Sequence, residues 1–284
     1  GAWEPQILHG VDLVVPSPGV PETSHLMADV LASGIPVWSE LELGFRELGG
    51  VPLAAVTGTN GKTSVSHLLE GILTQLGVTA GLSSTAERHI AGDVIVSRLT
   101  TPEAYEMHAL LALMRERGVE AVAIEVSAQA LSRQRVDGIV FDVAGFTNLS
   151  HDHLDDYADM AEYFQAKVPL FRPDRSRRAV ICLDSASGAD VVAACEVPYV
   201  TIGTPAIAAD PDAAAAADWT VEILDELPDG TRFRLSGPGG RSLSTTVPVI
   251  GRHMAANAAQ AIVMIFEAGY DWERITRALD NDVI

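Results

Sequence analysis

The chain has 284 residues, 48% of them hydrophobic, which is enough to bury a sizeable core and excludes a disordered chain. Its 38 acidic and 19 basic residues give a net charge of −19, a field that repels polyanions and excludes a general role on DNA or RNA. The two cysteines, Cys182 and Cys195, make neither a disulfide framework nor a metal-type spacing, so a reducing, cytoplasmic setting is expected.

The first ten residues, "GAWEPQILHG", lack the basic start and apolar stretch of a secretory signal. "VDLVVPSPGVP" predicts a strand and a Pro/Gly turn, and "ETSHLMADVLASG" a helix closed by Gly34. "IPVWSELELGFREL" predicts a short strand and a second helix. "VPLAAVTG" is a strand that runs into "TNGKTS". Val65, Leu68, Leu69, Ile72, Leu73 and Leu76 then fall at helical spacing, with Gly77 as the stop. "TTPEAYEMHALLALMRERG" predicts a helix with Thr101 as N-cap, Pro102 in the first turn and Gly118 past the end.

"EAVAIEVS" and "GIVFDVAGFTNL" are too apolar for strands with a wet face, which marks a central parallel sheet. A helix over 159–171, the strand "RAVICLD" and the strand "VPYVTIG" follow. Residues 204–218 are low in complexity and predict a loop. "WTVEILDEL" and "TRFRLSGPGGRSLSTTVPV" predict antiparallel strands with a turn at Pro238-Gly239-Gly240, and two helices end the chain. The most apolar of these, "AAQAIVMIFEAG", is too short to span a bilayer, so no membrane insertion is expected. The fold class is α/β, a doubly wound, mostly parallel sheet with an added antiparallel region. It begins near residue 49, after the remnant of a separate Rossmann-like element over 1–48.

Three segments carry chemistry, all at the C-terminal ends of apolar strands, where open parallel sheets bind ligands. The loop Gly58-Thr59-Asn60-Gly61-Lys62-Thr63-Ser64 differs from the common phosphate loop, because Val56 stands where its first glycine would be. Its glycines still let backbone N–H groups turn toward a phosphate at a helix N-terminus. Lys62 can neutralise phosphate charge and the Thr63 hydroxyl can reach Mg2+. Glu125 is a carboxylate in an apolar strand, which calls for a metal ion, for water at the strand end, or for an arginine such as Arg133 or Arg135. "NLSHDHLDDY" gathers Asn148, His151, Asp152, His153, Asp155 and Asp156. The set suits Mg2+ better than zinc, and equally suits a polar helix entry capped by Asp156 or Asp159. Lys167, in the next helix, reads from the residues alone as a surface lysine.

Together these segments resemble the Mur ligases over residues 50–280. "TGTNGKTS" is similar to that family's phosphate loop. Residues 97–171, with "TTPEA", "EVSAQAL" and "NLSHDHLDDY", resemble the UDP-N-acetylmuramoyl-tripeptide synthetases (MurE). Residues 10–45 resemble the end of the first domain of the D-glutamate ligases (MurD). The resemblance implies the C-terminal part of a UDP-substrate-binding domain over 1–48 and an ATP-binding central domain over 49–284. The amino-acid-binding third domain is not expected within these residues.

The resemblance also implies ATP-dependent amide formation through an acyl phosphate, with a UDP-N-acetylmuramoyl-peptide and a free amino acid as partners. Residues Gly58 to Ser64 would bind ATP, with Asn257 on the adenine side. Thr63, Glu125, His153 and Lys167 would serve two Mg2+ ions, Lys167 as a CO2-derived carbamate. Lys62, Glu125, His153 and Lys167 are the expected catalytic set, and Thr100, Thr101, Ser127 and Arg135 the acceptor contacts. The chain departs from the family at Met254, where an Asn is usual, and at Ala128-Gln129, where the tripeptide synthetases have Ser-His. The alternatives are a MurD-like glutamate ligase and a non-ligase phosphate-loop protein.

Overall fold

The computed structural model describes residues 5–16, 20, 24–37, 51–97, 99–150, 156–279 and 284. Eleven strands among them form one sheet: β1 (Leu53–Thr57), β2 (Ala80–Ser83), β3 (Glu87–Ile90), β4 (Asp93–Val96), β5 (Ala121–Glu125), β6 (Val143–Phe146), β7 (Ala179–Cys182), β8 (Tyr199–Gly203), β9 (Trp219–Leu227), β10 (Gly230–Gly237) and β11 (Arg241–Val247), in the order β11-β10-β9-β8-β7-β6-β1-β5-β2-β3-β4. Strands β2, β5, β1, β6, β7, β8 and β9 pair in parallel. The antiparallel β3–β4 and β10–β11 hairpins extend the two edges. The chain leaves β5 on one side of β1 and returns as β6 on the other. β1 is therefore the point where the winding reverses, and ligands of such sheets sit beyond its C-terminal end.

Both faces of the central strands are buried, as their apolar sequences predict. In β5, Ala121 and Ala123 face one core, Val122 and Ile124 the other. The first core takes the helices Lys62–Gln75 (α1), Arg252–Glu267 (α2) and Trp272–Leu279 (α3). The second takes Met107, Leu110, Leu111 and Met114 of helix Ala104–Glu116 (α4). At the far edge Gly237 lies against the buried Trp219. A Cβ there would come within 2.1 Å of the indole ring. Gly237→Ala is expected to cost about 2–3 kcal/mol through overpacking, read as a lower urea midpoint at unchanged slope.

Several sequence expectations change. Residues 11–15 contribute only a single bridge, Val14 to Val37, instead of a strand. The helix that follows is present over His25–Ala32, capped by Ser24. The second helix expected before residue 48 lies outside the described residues. Strands β2 to β4 carry no clear alternation in "AGLS" and "DVIV" and were not anticipated. Thr101 does not cap α4, whose N-cap is Glu103. Pro102 disfavours helical geometry at the residue before it, and Thr101 is fully buried instead. The 159–171 helix splits into Met160–Gln165 and a 3-10 turn at Val168–Phe171. Pro169 supplies no N–H for a continuous ladder, and Lys167 falls at the break. Residues 204–218 include a short helix, Pro211–Ala215, nucleated by the Asp210 cap.

Candidate active site

The loop after β1 crosses between the ends of β5 and β6. Gly58 and Gly61 have φ of +154° and +84°. The approach behind Gly58 is close, since a Cβ there would meet Thr147 Oγ1 at 2.0 Å. Beyond β6, Asn148 fixes the loop: its carbonyl accepts from Thr59 N at 2.9 Å, and its Oδ1 accepts from Asn60 N at 2.9 Å. Thr147 Oγ1 donates to Asn60 O at 2.6 Å. The loop thus arrives at the N-terminus of α1 already shaped, with Lys62, Thr63 and Ser64 in the first turn.

Glu125, the last residue of β5, is 2% exposed. It reaches neither water nor the arginines that the sequence offered. Its Oε2 accepts from Thr63 Oγ1 at 3.0 Å, Thr85 N at 2.8 Å and Thr85 Oγ1 at 2.9 Å. Its Oε1 lies 3.8 Å from Lys62 Nζ, which itself donates to Thr59 O at 2.9 Å. The hydroxyls, the Thr85 N–H and the loop lysine compensate the burial of this carboxylate, and its oxygens with Thr63 Oγ1 make a set of hard donors of the kind Mg2+ takes.

Lys167 is 1% exposed, so the surface-lysine reading gives way. Its Nζ donates to Gly58 O at 3.0 Å and stands 4.4 Å from the centre of the Tyr163 ring. Tyr163 Oη is in turn 3.4 Å from Thr59 Oγ1. The loop, Glu125 and Lys167 are therefore brought together. His153, with His151, Asp152 and Asp155, lies outside the described residues. Among those described, no group of three or more His, Cys, Asp or Glu side chains is placed to hold a metal ion. Asp156 is turned away, accepting from Gln129 Nε2 and lying 4.0 Å from Arg133. Asp159 is the helix cap, accepting from Glu162 N at 2.8 Å.

The proposed acceptor residues form one connected set on the β2–β5 side. Thr101 Oγ1 donates to Glu125 O at 2.9 Å and accepts from Ser127 N at 3.2 Å. Thr100 Oγ1 is 3.0 Å from Thr85 Oγ1. Arg135 is buried; its two terminal nitrogens donate to Thr101 O at 3.3 Å and Glu103 Oε1 at 2.6 Å, and its Nε has no hydrogen-bond partner among the described residues. Ser127 caps the short helix Ala128–Ser132, donated to by Ala130 N at 3.1 Å.

On the other side of the loop a cavity of about 510 Å³ opens, lined by Asn60, Gly61, Asn148, Asp184, His253 and Asn257 among others. Asn257 sits directly behind Gly61, where a Cβ would meet its Oδ1 at 2.9 Å. Met254 is partly buried against the first core, with its sulfur 3.9 Å from Asn257 Nδ2. Burial pushes the Asp184 carboxyl above the usual carboxylate range, against the backbone N–H of Thr204 that it accepts at 2.6 Å. Sequence reasoning missed Thr85, Thr147 and Asp184. Each is a small polar residue just past an apolar strand, the only signal available for them.

A strand, a glycine loop with lysine and hydroxyl, a helix and a buried carboxylate at the winding reversal define a phosphate-loop α/β protein. The family profile described as Mur ligase middle domain matches residues 56–265. The chain is 59% identical over 230 residues to a UDP-N-acetylmuramyl-tripeptide synthetase of Leifsonia xyli subsp. xyli, covering 81% of this chain and 43% of that protein. It is 39% identical over 280 residues to a UDP-N-acetylmuramoyl-L-alanyl-D-glutamate–2,6-diaminopimelate ligase of Streptomyces avermitilis, covering 93% of this chain and 54% of that one. A solved structure of a UDP-N-acetylmuramoyl-L-alanyl-D-glutamate–2,6-diaminopimelate ligase shares the fold with a TM-score of 0.72 at 22% identity, over 95% of this chain and 59% of its own. The chain belongs to the Mur ligase family. It spans about half the length of the curated relatives it matches.

Proposed function

We propose that this chain is the nucleotide-binding centre of an ATP-dependent, ADP-forming ligase that adds an amino acid to a UDP-N-acetylmuramoyl-peptide. The observation that carries the reading is the convergence of Lys62 and Thr63 on Glu125, at 3.8 Å and 3.0 Å, where the loop meets the end of β5. The relatives matched over most of the chain carry names of tripeptide-forming ligases, which favours this over a glutamate ligase or a non-ligase switch. In this reading residues 49–284 form the ATP domain, 1–48 belong to the UDP-substrate domain, and the enzyme works in the cytoplasm.

The residues fit ATP and Mg2+. The N–H groups at the start of α1 and Lys62 would hold the phosphates, and Asn257 and the adjoining cavity would take the adenine end. Thr63 and Glu125 supply the hard oxygen donors that Mg2+ prefers, and a carbamate on Lys167 with His153 would complete a second site. Bound there, Mg2+ neutralises charge that develops as the γ-phosphate passes to the acceptor carboxylate. Lys62 does the same from the protein side, and Thr63 and Thr85 orient Glu125. Thr100, Thr101 and Ser127 lie on the side from which an acceptor carboxylate would approach. The incoming amine then displaces phosphate from the acyl phosphate.

Phosphate release by the full-length protein, screened across UDP-N-acetylmuramoyl acceptors and amino acids including 2,6-diaminopimelate, tests the proposal. Release is expected only with both an L-alanyl-D-glutamyl acceptor and an amino acid present. Release with D-glutamate on an L-alanyl acceptor, or with ATP alone, contradicts it.

A further inference from the structure

Beside the site, and outside the residues assigned to it, α1 and β3 meet through four titratable side chains. His89 Nδ1 is hydrogen-bonded to Glu70 Oε1 of α1 at 2.6 Å, and its Nε2 is 3.0 Å from Glu87 Oε1 of its own strand, a charge contact without hydrogen-bond alignment. His67 of α1 stands edge-on to the same ring, centroids 5.7 Å apart, and its Nε2 is 3.3 Å from Ser84 Oγ. The strands that flank β3 pair Leu82 and Val94 with His89, so they bring no charge to it. Arg88, the residue before it, lies on the opposite pleat. The His89 side chain is only 16% exposed.

This cluster ties together the two elements that grip Glu125. Helix α1 brings Thr63, and the turn between β2 and β3 brings Thr85. That turn is closed on itself. Ser84 N and Ser84 Oγ both donate to Glu87 O, at 3.0 Å and 2.9 Å, and Glu87 N donates back to Ser84 Oγ at 3.2 Å. A movement of β3 against α1 therefore moves Thr85 against Thr63.

We propose that His89 is a positioning residue: by bridging Glu70 and Glu87 it sets the spacing between α1 and the β2–β3 turn, and through it the grip of Thr63 and Thr85 on Glu125. The inference rests on the reading of Glu125 as part of the nucleotide site. Burial lowers the proton affinity of the imidazole, but the two carboxylates together outweigh it, and the group titrates above its ordinary 6.5. The sign follows. The charged brace is complete below about pH 6.5 and is lost as pH rises through the raised value.

The test is Mg2+–ATP affinity by calorimetry across the imidazole range for the wild type, His89→Gln and His89→Arg, with amide hydrogen exchange of residues 84–87 followed in parallel. The wild type is expected to weaken as pH rises. His89→Gln binds about fivefold more weakly at the acid end and is flat with pH, while its Thr85 amide exchanges faster. His89→Arg, charged throughout, regains most of the affinity and is also flat. Two results overturn the proposal: His89→Gln with wild-type affinity and exchange, or His89→Arg with the wild-type pH step. A wild type that binds no Mg2+–ATP at any pH overturns the nucleotide-site reading and this coupling with it. The exchange rates in that case separate a brace that exists without a site from one that does not exist.

Discussion

Glu125→Gln is expected to remove the magnesium dependence of ATP binding while leaving the fold intact. The amide oxygen of Gln can still accept from Thr63 and Thr85, which hold Oε2 at 3.0, 2.8 and 2.9 Å in the wild type, so little stability is lost. What disappears is the only property an uncharged isostere lacks, the negative charge opposite Lys62 at 3.8 Å. Calorimetric titration with and without Mg2+ reads the difference directly. The wild type should bind ATP at least about tenfold more tightly with the metal, and the variant equally in both conditions. If the proposed ligase activity holds, the same change in the full-length protein should lower phosphate release by about a hundredfold or more, the scale of losing one preorganised electrostatic contact in a dry site. An unaltered magnesium effect in the variant would mean that Glu125 is a structural acid only.

Gly58→Ala is expected to be the most damaging change of a single small group in the site. The new methyl would overlap Thr147 Oγ1 at 2.0 Å and press on the backbone of Asn148 at 3.0 and 3.1 Å. Neither neighbour can yield cheaply. Thr147 is committed to Asn60 O at 2.6 Å, and the Asn148 backbone holds Thr59 N. The Gly58 carbonyl is also the acceptor for Lys167 Nζ, so rotating the peptide to make room breaks a buried hydrogen bond. A loss of about 3 kcal/mol or more in urea unfolding is expected, with ATP affinity reduced at least about tenfold. By comparison Gly77→Ala, where φ is +73° but no atom lies within 4 Å, should cost only the backbone term of about 1 kcal/mol and leave ATP binding alone. Equal damage at both positions would show that the close packing behind the loop is not what matters.

The parts of the fold that carry long, periodic or fully apolar segments were legible in the sequence. β1, β5, β6 and α1 were placed by runs such as "LAAV", "AVAI" and the spacing from Val65 to Leu76. The hairpin β2–β3 was not, because "AGLS" is short, holds a glycine, and gains its strand character from pairing with β5. That omission hid Thr85, which has no local pattern of its own and matters only because the sheet sets it against Glu125. Lys167 is the opposite case. Its residue type and neighbours favoured a solvated lysine, and only the break at Pro169 and the packing of Tyr163 bury it against Gly58. Arg135, expected at the acceptor, is instead committed to Glu103 and Thr101. A pairing between residues 32 positions apart leaves no trace in composition or periodicity.

The proposed metal–nucleotide site lies between the Gly58–Thr63 loop and Glu125. Anomalous diffraction from crystals grown with Mn2+ and a non-hydrolysable ATP analogue tests it most directly. A manganese peak is expected within coordination distance of Thr63 Oγ1 and a Glu125 carboxylate oxygen, with the analogue's phosphates over the N-terminus of α1 and its base beside Asn257. Bound analogue with manganese remote from Glu125, or phosphates seated away from the loop, would contradict it.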